Sequence, residues 1–254
     1  KLFEEMVYEN DEDPRQQNYY RVEIINSLVQ MGQEEEAFKL FKKITDDGFE
    51  SGTVPHNFNV LSGLFANRED SFPIQVQYLK NVMKALEEGD AKDQNYYMAI
   101  ANLAETYSHY GEKDEAVKLY RVVIDKSQDE YPKVQAFESI FRFDMDQQKK
   151  DEAKKLISEM KESLGSKQAK MIADILMADL YSQDGNKADA IKLLTPWLEK
   201  CGQDGDCCRV VDQLFFLYRE SGEKRAMREL YNNSHGKWNN CGSMNDVKME
   251  LGMP

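Results

Sequence analysis

One phrase recurs along the chain: a Gly, an Ala five residues later, and a large apolar residue four after that. It reads Gly32-Ala37-Phe41, Gly111-Ala116-Tyr120 and Gly185-Ala190-Leu194. Gln148-Ala153-Ile157 and Gly222-Met227-Tyr231 keep the register with one anchor changed in each. Positions 116, 153, 190 and 227 stand 37 residues apart. A fixed step of this size marks stacked supersecondary units that each contact mainly their neighbours. Strand signals are few, since β-branched runs are short and do not alternate.

Each anchor has a physical role. The Gly ends the first helix of a pair, where a left-handed residue lets the chain turn. The Ala sits where two helices touch, and its small side chain permits close approach. The large residue one turn later fills the space beside it. Seven and eight positions before the Gly the first helix is apolar: Ile24 and Ile25, Leu103 and Ala104, Ile140 and Phe141, Met177 and Ala178, Leu214 and Phe215. Four before it stand Leu28, Tyr107, Tyr181 and Tyr218, with Asp144 breaking the series.

These residues resemble a tetratricopeptide repeat, best in Asn95 to Lys126, where Leu103-Ala104, Tyr107, Gly111, Ala116 and Tyr120 fall in family positions. Pro132 lies beyond the family's usual proline, as a period longer than the family's roughly 34 residues requires. Ile25 to Gly48 is also similar to a pentatricopeptide repeat, and Phe58-Asn59-Val60-Leu61 resembles the start of another. Both resemblances imply the same architecture: an all-α, right-handed α-solenoid of about six helical hairpins with a short C-terminal capping segment. They imply different work, since the first family mostly binds proteins and the second mostly RNA.

The expected organisation follows the phrase. Residues 1–13 read as the end of a preceding helix plus an acidic linker, and the chain therefore reads as a fragment or a processed chain. Residues 14–92 hold one regular and one degenerate repeat, with helices at 15–31, 34–47, 56–67 and 73–88; regular stacking should falter between Gly48 and Asp93. Residues 93–232 hold four regular repeats, with helices at 94–110 and 113–127, 132–147 and 150–163, 167–184 and 187–200, and 206–221 and 224–232, each second helix opening with a carboxylate near its start. Residues 233–254 form a tail with a short capping helix at 244–251. Ser243 and Asp246 suggest a capping box, Gly252 a stop, and Met244, Val247 and Leu251 one shared face.

Charge weighs on the partner. The chain carries 33 basic and 46 acidic residues, a net charge of −13, and an RNA binder needs cations to replace phosphate counterions. No apolar stretch approaches the roughly 20 residues that span a bilayer. The four cysteines, Cys201, Cys207, Cys208 and Cys241, match no common zinc spacing. They are expected reduced, with Cys201 joined to Cys207 or Cys208 if the chain is extracellular. No nucleophile motif surrounds His56, His109 or His235, and no phosphate-cradling glycine loop occurs. The expectation is a non-enzymatic protein-interaction scaffold without cofactor, metal or small-molecule substrate, in the cytoplasm or mitochondria. Its partner, a peptide or helix, would meet Tyr96, Tyr97, Asn102, Tyr107 and Tyr110, because aromatic side chains make good anchors. The alternative is a pentatricopeptide-like protein of organellar RNA metabolism. The chaperone-type carboxylate clamp is absent near Ala101 and Glu105, and the base-reading position of the first repeat falls near Glu23.

Overall fold

The computed structural model describes residues 14–47, 64–65, 68, 70–88, 94–200, 207–234 and 241–252. All regular structure among them is helical. The helices are α1 (Pro14–Gln30), α2 (Glu34–Asp47), α3 (Ser71–Glu88), α4 (Gln94–His109), α5 (Lys113–Lys126), α6 (Glu130–Asp146) and α7 (Lys150–Ser163). They continue as α8 (Lys167–Gln183), α9 (Lys187–Leu194), α10 (Trp197–Lys200), α11 (Cys207–Glu220), α12 (Lys224–Ser234) and α13 (Ser243–Glu250). The expectations for residues 1–13, most of the 56–67 helix and the breaks at 48–55 and 89–93 lie outside the described residues. The rest of the predicted helices stand within about two residues of their expected bounds, with one exception. The helix expected at 187–200 is interrupted after Leu194, where Pro196 supplies no N–H and crowds the preceding turn.

The chain forms two compact units, Lys1–Ile140 and Phe141–Pro254, with the boundary inside α6. In the first, α1 packs on α2, α2 on α3, α3 on α4 and α4 on α5. Its core gathers Val22, Ile25, Ala37, Phe38, Phe41, Leu79, Val82, Ala99 and Leu103. Phe38, Phe41 and Phe65 cluster there, with ring centroids 5.0–6.1 Å apart. Arg68 lies 4.1 Å over the Phe38 ring while binding Glu35 at 2.7 Å and Asp70 at 3.2 Å. In the second unit α7 packs on α8, α8 on α9, both α8 and α9 on α11, and α11 on α12. Its core includes Ile175, Ala178, Ala190, Leu194, Leu214, Phe215, Met227 and Tyr231.

The repeated phrase has the geometry its chemistry predicted. Gly32, Gly111, Gly185 and Gly222 have φ between 71° and 84°. Each closes a Schellman turn, in which the residue after the glycine donates its N–H to the carbonyl five residues back: Gln33 to Leu28, Glu112 to Tyr107, Asn186 to Tyr181 and Glu223 to Tyr218, at 2.8–2.9 Å. Gln148 does the same without being glycine. Its φ is +59°, and Lys149 donates to the Asp144 carbonyl at 2.7 Å. Ala37, Ala116, Ala153 and Ala190 are all fully buried, as are Phe41, Tyr120, Ile157 and Leu194 beside them.

A second period runs through the same elements. Lys113, Lys150, Lys187 and Lys224 each open a second helix, 37 residues apart. Lys150 Nζ donates to Asp184 at 2.5 Å and to the Gln183 carbonyl at 3.4 Å. Lys187 Nζ donates to the Glu220 carbonyl at 3.0 Å. The cation thus meets the negative end of the next first helix, which favours positive charge.

Two expectations for the C-terminal tail are corrected. Ser243 is not an N-cap: Gly242 holds that place, and the backbone N–H of Ser243 (3.0 Å) and its hydroxyl both donate to Asp212 of α11. The cap comes from another helix, which a local motif cannot foresee. The described cysteines are disulfide-bonded rather than reduced, and one of their pairs was not among those expected. Cys208 is bonded to Cys241 over a Cα–Cα distance of 4.8 Å. Cys207 is also disulfide-bonded, its partner lying outside the described residues. The docking of α13 on α11 brings together two cysteines 33 residues apart.

Candidate binding surface

The five residues singled out from the sequence all belong to α4 or the turn after it. Tyr96 and Tyr97 are buried and meet edge to face at 5.3 Å. Tyr96 donates its hydroxyl to Glu87 at 2.5 Å. Desolvation, then the bond to that carboxylate, pushes its phenol up to about 12. Asn102 is buried as well. Tyr107 and Tyr110 are half-buried and flank Phe72 of α3, at 5.6 and 4.6 Å between ring centroids. Tyr110 donates its hydroxyl to the Phe65 carbonyl at 3.1 Å and accepts from Gln75 at 3.3 Å. Each tyrosine therefore has intramolecular packing partners, and only the edges of Tyr107 and Tyr110 reach the surface.

The left-handed residue gives a common register for the first helices. Six positions before it stand Asn26, Glu105, Arg142, Asp179 and Phe216. In the first unit, Glu105 accepts from the Tyr120 hydroxyl at 2.6 Å and meets His109 Nε2 at 3.2 Å. The hydrogen bond that His109 donates to that carboxylate holds its imidazole above the usual range against a smaller desolvation cost. In the second unit, Asp179 accepts from Gln213 Nε2 of α11. Burial pushes its carboxyl up to about 6, with the Gln213 bond and the charge of Arg209 opposing. On α11 itself, Phe216 is 47 % exposed, on the same stripe as Gln213 and Glu220. Asp174 of α8 accepts from Trp197 Nε1 at 2.8 Å and pairs with Lys161 at 2.5 Å.

Nine positions before the left-handed residue stand Glu23, Asn102, Ser139, Leu176 and Gln213. Glu23 is exposed, whereas Asn102, Ser139 and Leu176 are between 5 % and 7 % exposed. Gln213 is committed to Asp179.

Residues 24–49 match the family model of the PPR repeat. This chain is a helical-repeat protein. The matched segment covers α1 from Ile24 onward and all of α2, the hairpin closed by Gly32. No curated protein matches the chain. Among the described residues no helix is long and apolar enough to cross a membrane, and no group of three or more His, Cys, Asp or Glu could hold a metal ion.

Sequence reasoning missed Asp174, Asp179, Asp212 and Gln213. Each acts through a partner 13 to 34 residues away, and their spacing carries no local sign. The lysine series was visible as a period of 37 but had no meaning without the helix end that receives it.

Proposed function

We propose that the chain is a non-enzymatic binding protein whose first-helix faces hold a protein segment, as a scaffold or as a subunit of a larger assembly. The closed row at the position of Glu23 carries this reading. Base-by-base readout of RNA needs one accessible polar side chain per repeat at that place. Here three of the five positions are buried. At the register six positions before the left-handed residue, the first unit presents the Glu105 carboxylate and the second presents Asp179 along with the row's one cation, Arg142; the carboxylates repel phosphate. A basic peptide or helix suits either unit better, with the edges of Tyr107 and Tyr110 as apolar contacts in the first and Phe216 in the second.

The PPR match at residues 24–49 favours a second reading, an RNA-metabolism protein in which this acidic segment mainly makes protein contacts. Binding of labelled single-stranded RNA and of a Lys/Arg-rich peptide panel, each titrated against salt, separates the two. The protein reading expects saturable peptide binding that weakens at least tenfold in Asp179→Lys, and no RNA binding at low salt. RNA binding that falls steeply with salt and survives Asp179→Lys overturns it. Persistent disulfides are rare in the cytosol, so the bridged cysteines favour an oxidising compartment over the cytoplasm.

A further inference from the structure

Helix α13 lies along α11 with contacts in one register. Cys208 is bonded to Cys241. One turn later, Asp212 accepts the backbone N–H and hydroxyl of Ser243. Two turns beyond that, Arg219 Nε donates to Glu250 at 2.7 Å. Positions 208, 212 and 219 form one stripe of a helix. Their partners 241, 243 and 250 rise in the same order, so the two helices run parallel.

The arrangement repeats the one a layer earlier. α11 packs on α8 and α9, the two helices of the preceding hairpin, just as α13 packs on α11 and α12. α13 also ends as the first helices end, at a glycine with positive φ: Gly252 has φ +61° and donates to the Met249 carbonyl at 3.1 Å. It thus fills the place of another first helix, with 8 residues where α8 has 17. Met244 and Val247 are its buried anchors, with Leu251 partly buried beside them.

So short a helix does not persist in water without tertiary contacts. The Arg219–Glu250 pair is 42 % and 36 % exposed and contributes little. Arg228 adds a long bond to the Leu251 carbonyl at 3.4 Å. The covalent link is the strongest restraint at the start of α13.

We propose that the Cys208–Cys241 disulfide is a redox latch that keeps α13 seated on the Cys208–Asp212–Arg219 stripe of α11, and that a dithiol reductant releases it. A thiolate of the dithiol attacks one sulfur, and the Cys208–Cys241 bond breaks as a mixed disulfide forms. The second thiol of the reductant then closes its own disulfide, leaving Cys208 and Cys241 as thiols. Release uncovers Asp212, Arg219 and the apolar surface under Met244 and Val247, next to the exposed Phe216. This proposal does not depend on what the first-helix faces bind.

Amide hydrogen exchange on the whole chain tests it, oxidised and in dithiothreitol, beside the double variant Cys208→Ser/Cys241→Ser. Amides of 243–251 are expected to exchange about 500-fold faster after reduction, the effect of opening a loop of this length. Those of α8 and α9 should be unchanged. The double variant should exchange at the reduced rate with and without dithiothreitol, which separates this bond from the one at Cys207. Unchanged exchange at 243–251 on reduction overturns the proposal. So does loss of protection throughout 150–200, or a double variant that still responds to dithiothreitol at 243–251.

Discussion

Gln148 occupies a position that the other described copies of the phrase give to glycine. Its φ of +59° is the only positive value among described non-glycine residues. A side chain bearing a Cβ loses about 1–2 kcal/mol in this conformation. Glycine at the same place removes that strain but restores about 0.5–1 kcal/mol of freedom to the unfolded chain. The balance for Gln148→Gly is a stabilisation of about 0.5–1 kcal/mol. Gln148 is exposed, so the substitution removes little packing. The reverse change, Gly111→Ala, should destabilise by a similar amount. A Cβ added at Gly111 meets no heavy atom within 4 Å, so its cost is conformational. Gln148→Ala keeps the Cβ and should be near neutral, which isolates the backbone effect from the loss of the amide. With two units, a single melting transition is a poor measure. Amide exchange in α7 and α8 is better, and it should slow about 2- to 5-fold in Gln148→Gly. Faster exchange in Gln148→Gly, or equal stabilisation by Gln148→Ala, would refute the left-handed strain as the cause.

Other expectations follow from single sites. Ala190 is fully buried between α8 and α9, so Ala190→Leu should destabilise the second unit by about 1–3 kcal/mol through overpacking, read as a lower urea midpoint. Lys187→Met, which removes the cation at the end of α11, should cost about 0.5–1 kcal/mol at low salt and less at high salt. Asp179 has a folded pKa of about 6, raised above its unfolded value. The native state therefore binds the extra proton, and stability falls as pH rises between about 4 and 6. Asp179→Asn should remove that slope and raise stability at pH 7 by up to about 3 kcal/mol, measured by denaturant titration across pH. For His109 the raised pKa gives the same sign: its pairing with Glu105 stabilises below the unfolded pKa and is lost as pH rises through the folded one. Glu105→Gln should flatten that part of the profile.

The legible part of this protein was local. Glycine spacing, alanine contacts and apolar positions seven and eight residues upstream are properties of one hairpin, and each stands where expected. Even Gln148 keeps the turn, because the hydrogen bonds from Gln148 to Met145 and from Lys149 to Asp144 offset the strain. The candidate site was less legible. The five residues of α4 were chosen for aromatic and polar chemistry, but Tyr96, Tyr97 and Asn102 are buried. Periodicity shows that a helix has an apolar face, and it does not say how wide that face becomes when α3 and α5 both pack against α4.

What the sequence determined by itself is the unit: a helical hairpin closed by a left-handed residue and held by a small-to-large contact, repeated at a step of 37 residues. Those features depend on neighbours within a few turns, so the chain order states them directly. The tertiary structure alone decided three things: that Lys150 and Lys187 reach the next first helix, that Asp212 caps α13, and that Cys208 joins Cys241. Each joins groups 31 to 34 residues apart. Such separations become contacts only when stacking places one layer beside the next, because the position of each layer is a sum over the packing of those before it.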